Sequence, residues 1–116
     1  MRNIIYIILS LNLIFSQKML IPMDNTQSNH LKSYGLVYWI LEQEINVEWL
    51  LNYKGGAFLL NTKNSINNEA TIRGISYNII DAPTLNEIYA TIENNNMDIV
   101  LLEKTPKIAV YSPKDK

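Results

Sequence analysis

The sequence predicts an α/β fold: a small three-layer domain with a mostly parallel sheet, forming a Rossmann-like or flavodoxin-like half. Short, continuously apolar runs alternate along the chain with segments of helical periodicity. Apolar runs of this kind are typical of strands that are buried on both faces, and strands separated by helices favour parallel pairing. The length of 116 residues, of which 47% are hydrophobic, allows one small domain with a core of its own.

The predicted strands are apolar runs bounded by turn residues or by a change of periodicity. Residues 57–60 form a further apolar run after the break at Gly55-Gly56. The predicted strands are residues 19–22, 47–51, 76–80, 98–102 and 107–111. The last of them either closes the first sheet or begins a second α/β unit, and we expect the second. The pattern therefore predicts one α/β domain over residues 17–103, with the first strand of a further domain in residues 104–116.

Three helices are predicted between these strands. The first covers residues 27–42 with Thr26 or Asp24 as its cap, and the second covers residues 66–73 and ends at Gly74. The third begins at a capping box made by Thr84 and Glu87 and ends in the asparagine run 94–96.

The first helix has a prominent apolar stripe. Leu31, Tyr34, Tyr38 and Leu41 share one helical face. We expect this face to be buried against the sheet, together with the adjacent apolar residues. Trp39 and Trp49 are expected in the same core.

Residues 1–16 have the pattern of a secretory signal peptide. Arg2 provides the positive charge, residues 4–15 are almost wholly apolar, and Ser16 is a small residue before the expected cleavage. The apolar run is shorter than the ~20 residues of a spanning helix. We expect cleavage after Ser16, export to the periplasm or the extracellular space, and no membrane span afterwards. A buried N-terminal element and an uncleaved anchor are the alternatives.

Composition excludes several classes of function. The formal net charge of −1 argues against a nucleic-acid binder, which needs clustered Lys and Arg. The absence of cysteine excludes disulfides, zinc–thiolate sites and cysteine nucleophiles. No cofactor, metal site or catalytic residue is predicted.

The candidate ligand site rests on the expected parallel sheet, because ligands bind where parallel strands end. Asp24 and Asp81 follow predicted strands, as does the turn Lys54-Gly55-Gly56, whose glycines allow close backbone approach. His30, the single histidine, follows Asp24 closely. These six residues predict a site for a polar small molecule or a protein partner. The alternative is structural: the aspartates cap helices, the glycines form a β-turn, and His30 lies on the surface.

Two segments carry a resemblance to a known family. Residues 21–41, IPMDNTQSNHLKSYGLVYWIL, and residues 48–60, EWLLNYKGGAFLL, resemble the N-terminal part of an uncharacterised family of exported Bacteroidota proteins often labelled asparagine synthetase B. The resemblance extends over residues 18–112. It implies that a longer amidotransferase-like domain begins at residues 107–113 and that this chain is a truncated part of a larger protein.

The activity named by that label uses an N-terminal cysteine and a Gly- and Ser-rich ATP loop. The chain contains no cysteine, so no catalytic residue is carried over from the family. We expect a non-catalytic binding or interaction domain, the N-terminal portion of a larger exported two-domain protein. The alternative is a fragment of an amidotransferase-like or hydrolase-like enzyme whose catalytic residues lie beyond residue 116.

Overall fold

The computed structural model describes residues 17–104. The expected signal peptide and the expected strand at residues 107–111 lie outside this range. Five strands are present: β1 (Lys18–Ile21), β2 (Val47–Leu50), β3 (Ala57–Asn61), β4 (Asn78–Ile80) and β5 (Ile99–Leu102). Three helices alternate with them: α1 (His30–Glu42), α2 (Asn64–Ile72) and α3 (Ala82–Asn94).

All five strands form one sheet in the order β4-β1-β3-β2-β5, and every neighbouring pair is antiparallel. The first six elements follow the order β-α-β-β-α-β with the sheet order 4-1-3-2, which is the split βαβ or ferredoxin-like arrangement. The remaining strand, β5, extends this sheet beside β2, and helix α3 connects β4 to β5.

The prediction of a mostly parallel sheet, in a Rossmann-like or flavodoxin-like half, is wrong. The chain between β2 and β3 is a short turn, so these strands form a hairpin, and β3 then pairs antiparallel with β1 as well. Continuous apolar runs indicate burial on both faces of a sheet, whatever the direction of its strands. Here α1 and α2 cover one face and α3 covers the other.

The core consists of one apolar layer on each face of the central strands. Alternation along β1 and β3 divides their side chains between the two layers. The layer under α1 and α2 includes Met19, Ile21, Phe58, Leu60, Leu36, Ile40, Ile66 and Ala70. The layer under α3 includes Leu20, Leu50, Ala57, Leu59, Ile80, Ile88 and Ile92.

Helix α1 is buried through a different stripe from the one that the sequence predicts. Its buried residues are Ser33, Leu36, Val37 and Ile40, whereas Leu31, Tyr34 and Tyr38 are exposed. The buried Ser33 hydroxyl donates to Asn29 O at 2.8 Å, so burial leaves it satisfied. Two apolar stripes lie side by side on this helix, and the sheet buries one of them.

The helix ends follow known capping chemistry, in part at other residues than expected. The cap of α1 is Asn29, whose side chain accepts from Lys32 N, and the cap of α3 is Asp81 rather than Thr84. Gly74 ends α2 as predicted. It has a φ of +72°, and Ile75 N donates to Ala70 O at 3.0 Å, which makes a Schellman motif.

A buried carboxamide joins the loop after β1 to the segment before β4. Gln27 is 5% exposed. Its Nε2 donates to Pro22 O at 2.8 Å and to Ser76 O at 2.9 Å. Its Oε1 accepts from Ser76 N at 2.8 Å and from Asn29 N at 3.2 Å. All the hydrogen-bonding positions of the amide are therefore used.

We predict that Gln27→Ala lowers the free energy of unfolding by about 2–4 kcal/mol, because it leaves Pro22 O and both backbone groups of Ser76 without these bonds. Urea denaturation of the full chain measures this change. Gln43→Ala is the matched control. Gln43 is exposed and its Nε2 makes one bond, to Trp39 O at 3.2 Å, so the control loses less than about 0.5 kcal/mol. Equal losses for the two variants contradict the assigned role.

Candidate functional site

Five of the six predicted site residues lie together at one end of the sheet. Both β1 and β2 run antiparallel to β3, so they end side by side; we call this the upper end of the sheet. The loop carrying Asp24, the start of α1 at His30, and the turn Lys54-Gly55-Gly56 all lie there.

Asp81 lies at the opposite, lower end. Because β4 is antiparallel to β1, Ile80 pairs with Lys18 at the beginning of β1. The Asp81 side chain accepts from Thr84 N at 2.9 Å as the cap of α3. The structure therefore does not bring Asp81 to the other five residues, since the antiparallel sheet reverses the end at which β4 stops.

The two glycines allow the turn to touch the loop after β1. Met23 N donates to Lys54 O at 2.9 Å. Gly55 has a φ of +76°, and a Cβ there would lie 2.6 Å from Met23 O. Gly56 has a φ of +92°, and its carbonyl accepts from Trp49 Nε1 at 3.1 Å. The glycines thus permit positive φ and close approach within the fold itself.

The polar groups of Asp24 and His30 are used in local bonds. The Asp24 carboxylate accepts from Thr26 Oγ1 at 2.6 Å and from Thr26 N at 3.0 Å. These two bonds, with a smaller contribution from Lys54, lower the pKa of Asp24. His30 Nε2 donates to Asp24 O at 2.8 Å. Over residues 17–104, no three His, Asp or Glu side chains are placed to hold a metal ion.

An apolar groove lies between α1 and the sheet, and we call it the aromatic groove. It encloses about 210 Å³ and is lined by Tyr34, Val37, Tyr38, Leu41, Trp49, Phe58 and Leu102. Phe58 contacts two of the other rings. The ring of Tyr34 meets it edge-on at 6.1 Å between centroids, and the Trp49 ring stacks on it at 5.9 Å.

The aromatic groove was not predicted from the sequence, which placed its α1 residues and Trp49 in the core. The groove exists because α1 carries more apolar surface than its contact with the sheet buries. The available signal was the presence of two adjacent apolar stripes on one helix. Periodicity reveals both stripes but does not say which of them faces the sheet.

On the opposite face of the sheet, Tyr89 of α3 donates its hydroxyl to the Glu48 carboxylate of β2. Burial and this carboxylate raise the pKa of Tyr89 above its ordinary value. This hydrogen bond links α3 to the sheet.

Comparison with known proteins finds no matching family model and no significant match among curated proteins or solved structures. The likeness to the exported family labelled asparagine synthetase B therefore stays a prediction. None of the helices within residues 17–104 has the length and apolar character needed to cross a membrane.

We predict that Gly55→Ala destabilises the protein more than Gly74→Ala does. Both glycines have positive φ, which costs an L-residue about 1–2 kcal/mol. A Cβ at Gly74 meets nothing within 4 Å, whereas at Gly55 it collides with the Met23 carbonyl. Thermal unfolding of the two variants isolates the cost of the collision. A Gly55→Ala variant as stable as Gly74→Ala would show that the loop moves aside freely.

We also predict that Asp81 contributes to acid sensitivity. Bonds from the Thr84 side chain and backbone lower its pKa below the ordinary value of 3.8. The ionised Asp81 carboxylate therefore stabilises the fold at pH values above 3.8. This stabilisation is lost as the pH falls through the lower pKa that Asp81 has in the folded state. Asp81→Asn keeps a good cap at neutral pH and removes the titrating group. Urea denaturation between about pH 5 and about pH 2 should show a shallower loss of stability in the variant. An unchanged slope contradicts this.

Proposed function

We propose that this chain is an exported, non-catalytic interaction domain, the N-terminal portion of a larger two-domain polypeptide. We further propose that the aromatic groove binds the part of the polypeptide that continues beyond this domain. The observation that carries the proposal is the groove itself, where four aromatic rings surround an open apolar space.

The dimensions of the aromatic groove favour a protein occupant. Small-molecule sites usually enclose about 300–1,000 Å³, and this groove encloses about 210 Å³. That space suits one or two inserted side chains. Tyr, Trp and Phe are enriched where proteins meet, and they supply much of the binding energy there. Tyr34 and Tyr38 add apolar area together with hydroxyl groups that remain compatible with solvent.

The polar residues Asp24 and His30 at the upper end of the sheet give less support to a binding site for a small polar ligand. One oxygen of the Asp24 carboxylate, Oδ1, accepts both bonds from Thr26, and His30 Nε2 is bonded to a backbone carbonyl. His30 is the single histidine of the chain, and its contact is with a carbonyl rather than with a hydroxyl nucleophile. This arrangement favours a binding role over hydrolase-like or amidotransferase-like chemistry in the domain.

The direction of the chain after β5 favours an occupant from the same polypeptide. Leu102 lines the aromatic groove. Two residues later, Lys104 Nζ lies 3.8 Å from Glu44 Oε2 and 4.0 Å from Glu42 Oε1, at the end of α1. Lys104, the last described residue, therefore lies close to the groove. A covalently attached segment binds at a high effective concentration, in the millimolar range for short flexible linkers.

The proposal predicts a context-dependent effect of Tyr38→Ser. Tyr38 is 66% exposed in this domain, so in the isolated 116-residue chain the variant loses less than about 0.5 kcal/mol of stability. In the longer native polypeptide the ring is covered, and the loss rises to about 1–3 kcal/mol. Urea denaturation of both chains, each followed by tryptophan fluorescence, measures the difference.

Ile72→Ser is the matched control, because Ile72 is 77% exposed on α2 and does not line the groove. It should have the same small effect in both chains. Intact mass of the native protein from its source cells supplies the longer species. A native mass ending at Lys116, or a Tyr38→Ser effect equal in the two chains, overturns the proposal.

A further inference from the structure

We infer that two copies of this chain associate through β5, with β5 of one copy pairing antiparallel with β5 of the other. The two sheets then form one continuous sheet across a twofold axis. This pairing is independent of what occupies the aromatic groove, because it involves the backbone edge of β5. It therefore goes beyond the proposed function.

Within residues 17–104, β5 is an end strand with β2 as its one neighbour. Its sequence is IVLL, and Ile99, Val100 and Leu101 are 39%, 40% and 54% exposed. End strands that stay unpaired are commonly protected by lysine, proline or a bulge. The four residues of β5 include neither lysine nor proline, and their register with β2 is unbroken. The strand is therefore suited to accept another strand.

The hydrogen bonds to β2 identify the backbone groups of β5 that face outward. Leu51 N donates to Asp98 O at 3.1 Å, which continues the ladder in which Leu50 pairs with Ile99. In an antiparallel ladder, hydrogen-bonded and non-hydrogen-bonded pairs alternate. Val100 and Leu102 therefore bond to β2. The N–H and C=O groups of Ile99 and Leu101 point away from β2 and can bond to a second copy.

Charge complementarity selects the register of the two β5 strands. With Leu101 on the twofold axis, Asp98 of each copy lies opposite Lys104 of the other, and Val100 lies opposite Leu102. Opposite charges facing each other across two strands are stabilising. Moving the axis to Val100 or to Ile99 sets the Asp98 carboxylate opposite an apolar residue instead. The register centred on Leu101 is therefore favoured.

The two charged groups lie on the same face of the sheet and are accessible. Asp98 is exposed. Lys104 Nζ lies 3.8 Å from Glu44 Oε2 and 4.0 Å from Glu42 Oε1, at the end of α1. An ammonium group has three N–H donors, so Lys104 can bond to Asp98 of the second copy in addition to these glutamates.

The other end strand, β4, is less suited to pairing between copies. It has three residues, and Asp81, Ala82 and Pro83 follow it directly. Pairing of β5 with β4 of another copy would also be head-to-tail and would continue into an open chain of molecules. Pairing of β5 with β5 closes as a dimer, because both copies use the same edge.

Sedimentation velocity of the full chain is the first test. Pairing of such short strands buries less than the about 1,200 Å² of a standard interface, so the dimer is weak. Between about 10 µM and about 1 mM protein, the fraction of dimer should rise. Leu101→Lys should weaken the dimer at least about tenfold, because it sets two like charges opposite each other on the axis.

Ile79→Lys is the matched control, since Ile79 is 42% exposed on β4. It should leave the dimer unchanged. A chain that stays monomeric up to about 1 mM means that another segment covers β5, and it overturns the inference. Equal effects of the two lysines, or growth into assemblies larger than a dimer, overturn it as well.

Cross-linking tests the register. The chain has no cysteine, so Val100→Cys and Leu102→Cys each provide a single thiol. In the register centred on Leu101, these two positions form a non-hydrogen-bonded pair, where side chains are closest. Mild oxidation of an equimolar mixture should therefore give mainly the mixed disulfide, which mass spectrometry identifies because the two variants differ by one CH₂ group. A predominance of Val100→Cys homodimers, or no disulfide at all, contradicts the register.

Discussion

The carboxamide of Gln27 is the interaction on which the upper end of the sheet depends. It bonds to the loop after β1 and to the segment before β4, and so it holds together two parts of the chain that are 49 residues apart. Such a buried amide is stabilising when every bond is made and costly when one is lost. The adjacent turn, Lys54-Gly55-Gly56, packs on the same loop because its glycines tolerate positive φ and a contact too close for a Cβ. Polar side chains near these contacts, including Asp24 and His30, are used to shape the loop.

The antiparallel sheet determines where the surfaces available for binding lie. The three helices cover both faces of β1 and β3, which for that reason are apolar except at Lys18 and Asn61. Coverage is less complete towards β2 and β5. There the exposed apolar stripe of α1, which includes Tyr34 and Tyr38, lies beside Trp49, Phe58 and Leu102 but is not buried by them. The space between this stripe and the sheet is the aromatic groove. The same region includes the outer side of β5. The incompletely covered part of the domain is therefore also the part from which the chain continues.

The local structure followed the sequence closely. Four of the five strands were predicted from apolar runs, and β3 lies at the apolar run of residues 57–60, which was not assigned as a strand. The end of α1 was predicted at Glu42, and Gly74 ended α2 through its positive φ. Asp24, His30 and the glycine turn lie at one end of the sheet, as the sequence places them, because β1 and β2 point the same way in either arrangement. Asp81 lies at the other end, because β4 runs in the opposite direction. The role of Gln27 was not predicted, because the sequence placed it at the start of the first helix and a single polar residue has no periodicity that distinguishes a buried amide from an exposed one.

By itself, the sequence determined the three helices and four of the strands, the apolar residues available for a core, and the absence of cysteine chemistry, since these follow from composition and from local periodicity. Only the tertiary structure decided the direction of the strands, the stripe of α1 that is buried, and the polar groups that are satisfied. Each of these depends on contacts between residues far apart in the chain. The periodicity of a segment shows which of its residues share a face. It does not show which other segment packs against that face. The aromatic groove and the exposed side of β5 are consequences of that pairing.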